Sequence, residues 1–213
     1  MTNADGNLTT QPLLISAGTA DITPHRPLAL GGFAKRTALF RGLAGRLEAN
    51  VIVIRGPTSR AVIVTTDLLY PGETLRALLL TNLGLRDKSG ELFLSASHTH
   101  FAPMTVASMP RLGVADPEYV RYVSNQITGL IKSIELEGAP CVCTYHEGHA
   151  DHSMNRRLVR LRLTTSGLVK SCGFGPNPKG VRDESVRVIK FSNPSEAPVA
   201  LIWNYACHPS AFS

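Results

Sequence analysis

Ser97-His98-Thr99-His100 closes an apolar run, Leu92 to Ala96. Strand alternation puts Leu92, Leu94, Ala96, His98 and His100 on one face, so a greasy surface gives way to two imidazoles where the strand leaves its sheet. Neutral imidazoles bind Zn²⁺ at ~2.0–2.1 Å, and strand ends in α/β folds are where ligands sit. His208, in Asn204-Tyr205-Ala206-Cys207-His208-Pro209, also follows an apolar run, and the proline after it favours a turn. It is the natural third imidazole. On residue pattern alone, metal ligation and plain strand-end histidines both remain open.

Two other groups compete for attention. His146, His149 and His152, with Glu147 and Asp151 between them, form either a metal patch or a solvated loop. The spacing favours the loop, because His146-Glu147-Gly148-His149 is one residue too short for a helical His-Glu-x-x-His. Asn155-Arg156-Arg157 leads into Arg160 and Arg162, which alternate with Leu161 and Leu163 as one solvated face of a strand. Arg156 differs by position, in the turn after the histidines, where a guanidinium can fork onto a carbonyl or an anion. The sequence contains no Gly-x-Gly-x-x-Gly, Walker loop or Gly-x-Ser-x-Gly elbow, which leaves metal-assisted hydrolysis as the enzyme class to test.

Positioning these residues needs strands. The patterns predict strands over Leu13 to Ala20, Ala49 to Arg55, Ala61 to Asp67, Leu92 to Ala96, Pro140 to His146, Leu158 to Thr164, Ser185 to Phe191 and Ala197 to Ala206. The second and third form a hairpin across Gly56-Pro57-Thr58-Ser59. Helices are predicted over Glu73 to Leu85 and, from apolar residues at helical spacing, over Pro117 to Glu137. Gly31-Gly32-Phe33 reads as a loop needing free backbone angles. The fold class is α/β, with mixed sheets flanked by helices. Residues 1–12 read as a disordered leader and 13–213 as one catalytic-type region, which looks cut short after the last strand.

The 213 residues suit about one domain. Composition is ordinary for a globular protein, with 43% hydrophobic and 18% charged residues, which excludes a wholly disordered chain. No apolar stretch approaches the ~18–20 residues that span a bilayer. A net charge of +6 is compatible with anionic substrates or peripheral membrane contact. Aromatics at 6%, without basic–aromatic interleaving, argue against nucleic acid. Cys141, Cys143, Cys172 and Cys207 read as buried free thiols, and the polar first residues lack a secretory pattern, so a cytoplasmic location is expected.

An ordered set of motifs resembles the N-terminal catalytic region of the neutral/alkaline non-lysosomal ceramidases and their shorter bacterial relatives. The set runs through Gly18 with Asp21-Ile22-Thr23-Pro24, Gly31-Gly32-Phe33, Thr66-Asp67-Leu68-Leu69 and Ser97-His98-Thr99-His100 with Pro103. It continues through Asn155-Arg156-Arg157, Gly175-Pro176-Asn177-Pro178 with Asp183, and Asn204 to Pro209. The resemblance implies a zinc amidohydrolase that opens an N-acyl amide bond with metal-activated water, its substrate being ceramide or a related N-acyl lipid. It assigns His98 and His208 to zinc, and His100 and Arg156 to substrate near the metal. Phe101-Ala102 stands where the family has Ser-Gly, adding bulk there and widening the expected substrate to other N-acyl amides. The family draws a Glu and a Tyr ligand and a serine motif from a later segment. The resemblance therefore carries an alternative, a catalytically incomplete or binding remnant of the same fold; another His-x-His metallohydrolase is the remaining one.

Overall fold

The computed structural model describes residues 13–34, 36–86 and 91–209; the expected leader over 1–12 lies outside the described residues. Three strands open the fold, β1 (Leu13–Asp21), β2 (Glu48–Arg55) and β3 (Arg60–Thr66), paired antiparallel in sequence order. The predicted turn between β2 and β3 closes with Gly56 N–H donating to the Ser59 carbonyl at 2.8 Å. Alternation decides what these strands bury: Val51 and Val53 of β2, Val62, Val64 and Thr66 of β3.

Helix α1 (Gly72–Leu83) then crosses to β4 (Leu92–Ala96), which lies parallel to β3. A parallel neighbour requires such a crossover. Gly84, at φ +65, ends α1 in the left-handed conformation with its N–H on the Leu80 and Thr81 carbonyls. Helix α2 (Pro117–Ile134) starts on an Asp116 cap that accepts the Tyr119 N–H at 2.9 Å, with proline in its first turn. Its apolar stripe, Val120, Val123, Ile127 and Ile131, is buried in the same core as β2, β3 and α1. Gly18 of β1 permits close approach of α2, since a Cβ there would lie 2.8 Å from Leu130 Cδ1.

Strands β5 (Ala139–His149), β6 (Arg157–Thr164), β7 (Gly167–Phe174), β8 (Ser185–Ser192) and β9 (Pro198–Asn204) follow. The larger sheet runs β4-β3-β2-β1-β5-β8-β9, and β6 and β7 form a separate two-stranded sheet. This is the expected mixed α/β architecture. By contact the chain divides into two compact units, one built from the chain through Cys143 with Phe191–Ala200, the other from Thr144–Lys190 with Leu201–His208. No helix among the described residues is long and apolar enough to cross a membrane.

Three local readings need correction. β7 was not predicted: its two glycines and Lys-Ser-Cys core have weak intrinsic preference, and pairing with β6 makes the strand. His149, expected in a loop, ends β5. Of the four cysteines only Cys141 is buried; the other three are exposed.

Candidate metal centre

His98 sits just beyond β4, where strand alternation has ended. Its φ is +61, a left-handed conformation uncommon for a side-chain-bearing residue. The two histidines therefore do not line one strand face. They meet because the chain folds over, with ring centroids 5.3 Å apart and planes at 88°.

Each ring has its own support. His98 Nδ1 lies 2.9 Å from the Leu69 carbonyl, and the Tyr70 ring stands edge-on at 5.0 Å. A carbonyl accepts only, so that contact puts the proton on Nδ1 and the lone pair on Nε2, as in metal-binding histidines held by a backbone oxygen. Leu69 is itself fixed by the Thr66-Asp67-Leu68-Leu69 segment: Asp67 accepts the Ser97 hydroxyl at 3.2 Å and the Glu48 N–H at 3.1 Å.

His100 is only 7% exposed. Its ring packs on Phe33 at 4.7 Å and against Gly32, where a Cβ would lie 2.3 Å from His100 Nδ1. Gly32 also has φ +98, so no other residue suits the place. The Gly31-Gly32 loop is docked by backbone bonds, Gly31 N–H to the Ala102 carbonyl and Gly32 N–H to the Leu112 carbonyl. Arg36 completes the surround: its guanidinium donates to the His100 carbonyl and stacks over Phe33 at 4.4 Å.

His208 is exposed. The segment before it is tied down through Tyr205, whose hydroxyl accepts the Ser153 N–H at 2.9 Å and donates to the Ala150 carbonyl at 3.1 Å. His98 and His100 lie in the first unit and His208 in the second, and each offers a ligand-capable imidazole nitrogen. The competing histidines are engaged on the surface instead, His149 with Glu184 at 3.2 Å and His152 with Asp151 at 3.8 Å.

Arg156 belongs to a self-contained loop cluster. Its guanidinium stacks over Phe174 at 4.8 Å, and its carbonyl accepts the Gly175 N–H. Asn155 and Asn177 interlock beside it: the Asn155 carbonyl accepts the Asn177 N–H at 2.8 Å, and Asn177 Nδ2 donates to the Arg157 carbonyl at 2.9 Å. Gly180 fits over this pair, since a Cβ would be 2.4 Å from Asn155 Cγ. Two motifs separated in sequence thus form one support for Arg156. Asp183 closes the loop, its carboxyl lowered to about 2 by the Ser185 N–H and by Arg187.

No family model matches the sequence. Among solved structures, a ceramidase complexed with C2 superposes with a TM-score of 0.66 at 20% identity, over 90% of this chain and 30% of that one. The neutral ceramidase of Pseudomonas aeruginosa gives a TM-score of 0.66 at 20% identity, over 90% of this chain and 31% of that one.

The fold is ceramidase-like.

The chain spans just under a third of the length of those two ceramidases. Within this ceramidase-like fold, Arg36 is the site neighbour that sequence reasoning missed, because an arginine outside any periodic pattern carries no local signal. A second feature also emerges only in three dimensions. A cleft of about 370 Å³ opens beside the histidine loop, lined by Leu30, Phe40, Leu47, Thr99, Phe101 and Pro103, with Asp67 and Arg46 as its charged members. It lies at the carboxyl ends of the parallel pair β3 and β4, where α/β folds place ligands.

Proposed function

We propose that the chain carries part of the active site of a zinc-dependent hydrolase that cleaves an N-acyl amide bond, in ceramide or a related N-acyl lipid. The observation that carries this reading is the corner where two imidazoles meet, His98 and His100, with ring centroids 5.3 Å apart and His98 oriented by the Leu69 carbonyl. The donor chemistry fits Zn²⁺, which takes imidazole nitrogen in tetrahedral sites and keeps a position open where it is catalytic.

His98, through Nε2, and His208 are the proposed ligands. Zn²⁺ held there would supply Lewis acidity toward the amide carbonyl and a water made nucleophilic near neutral pH. His100 is assigned to substrate: buried and clamped between Phe33 and Gly32, it is a preorganised donor to a carbonyl oxygen that gains charge as the amide is attacked. Arg156 is assigned the same task, with a planar fork suited to an oxyanion. The cleft beside Phe101 would take the apolar part of the substrate and exclude water from it.

The test is hydrolysis of a panel of N-acyl amides of varied acyl length by the zinc-loaded chain. His98→Ala and His208→Ala should each abolish both metal retention and turnover. His100→Ala and Arg156→Lys should keep the metal and lose roughly 10²-fold in kcat/KM, about what one oxyanion donor is worth. Metal retained without turnover on any amide would overturn the hydrolase reading and leave a binding remnant of the fold. Loss of metal in His100→Ala would make His100 the third ligand.

A further inference from the structure

The β6–β7 hairpin is exposed on both sides, and its side chains are not those of an ordinary solvated ribbon. The register pairs Leu163 with Leu168, Leu161 with Lys170, Val159 with Cys172 and Arg157 with Phe174, and directly opposed residues share a face. Leu161, Leu163 and Leu168, exposed by 65, 84 and 65%, therefore make an apolar cluster at the tip, with Val159 next along the same face and Phe174, stacked by Arg156, at its far end. Cations follow the tip leucines at once: Arg162 lies on the opposite face, one residue back from Leu163, and Lys170 on the same face beside Leu161. No Asp or Glu stands anywhere in 152–182.

We propose that the β6–β7 hairpin docks on a lipid surface bearing anionic headgroups, its Leu163–Leu168 tip entering the acyl boundary while Arg160, Arg162 and Lys170 meet phosphates and carboxylates. Apolar residues at the leading end with Lys and Arg behind them is the arrangement that gains from both terms of interfacial binding, apolar burial and attraction to acidic lipid. Long basic side chains reach headgroups while their stems stay in apolar surroundings. The same charge argues against a second copy as the occupant, since two hairpins without acidic residues repel. It argues less for RNA, because the face offers one aromatic ring and otherwise aliphatic side chains, which do not stack bases. This inference stands on the hairpin alone and does not depend on the metal centre.

The experiment is co-sedimentation of the full chain with vesicles of phosphatidylcholine alone or with about 30% phosphatidylserine. Binding to the anionic vesicles should exceed binding to neutral ones by about tenfold or more, and fall when salt is raised to about 0.5 M, where the Debye length contracts. Leu163→Ser/Leu168→Ser should lose about tenfold at low salt, and Arg162→Gln/Lys170→Gln should lose the preference for phosphatidylserine, both with an unchanged far-UV spectrum. Equal binding to both vesicle types, or wild-type binding by the leucine variant, would overturn the proposal. So would vesicle-free self-association, read by sedimentation equilibrium, that the leucine variant abolishes.

Discussion

The histidine corner and the β6–β7 hairpin both use a glycine at positive φ, and they use it for opposite ends. Gly32 leaves room for a buried imidazole, with a would-be Cβ 2.3 Å from His100 Nδ1; Gly167, at φ +111, meets nothing within 4 Å and only lets a ribbon turn. At the corner the groups are held from several sides: Leu69, Tyr70, Phe33 and Arg36 bear on the two imidazoles or their backbone, and Asp67 accepts the hydroxyl of the adjoining Ser97. At the hairpin the side chains face outward. The first region reads as a preorganised site and the second as a surface that gains its contacts from something else.

The contrast can be broken by substitution. The largest effect should come from the packed core beneath the corner: Leu79→Ala, at a fully buried position of α1, should cost about 2–5 kcal/mol, whereas Leu163→Ala should stay within about 0.5 kcal/mol, both read by urea unfolding. Next is Gly32→Ala, which meets both overpacking and a forbidden backbone angle and should cost about 2–4 kcal/mol, with turnover lost as His100 is displaced. Gly167→Ala meets the backbone penalty alone and should cost about 1 kcal/mol. If the two glycine variants behave alike, the corner is looser than its contacts indicate.

A smaller effect separates the two regions by pH. The Tyr119 N–H at the start of α2, then Arg26, hold the Asp116 carboxyl below its ordinary value of 3.8. A lowered folded-state value means the cap stabilises fully above about pH 4 and loses its contribution as pH falls through the folded value. Asp116→Ala should therefore cost about 1 kcal/mol near neutrality, with the difference from wild type shrinking as pH falls below the ordinary carboxylate value, as thermal melts across pH would record. Asp183 is lowered in the same direction. Its partners are solvated, however, so Asp183→Asn should barely shift the melting temperature.

Much of this was legible in the sequence, and for separable reasons. The β2–β3 hairpin and α2 were readable because each buries one face at its own period, two for strands and near four for the helix. His98, His100 and His208 were readable as residue types at strand ends. The way His98 and His100 meet was not, since it depends on a left-handed residue that no alternation rule allows. Arg36 and the Leu69 carbonyl were invisible because their roles are backbone contacts across 64 and 29 residues of chain. The interlock of Asn155 with Asn177 is likewise hidden in the sequence, since it joins two motifs some twenty residues apart through backbone contacts. β7 went unseen because its partner, not its composition, makes it a strand.

Zinc content per chain, by elemental analysis after dialysis against metal-limited buffer, decides whether His98 and His208 hold a metal. The parent should carry close to one zinc per chain and His98→Ala and His208→Ala close to none, with both variants still folded. A parent that retains no zinc, or variants that retain as much as the parent, would contradict that assignment.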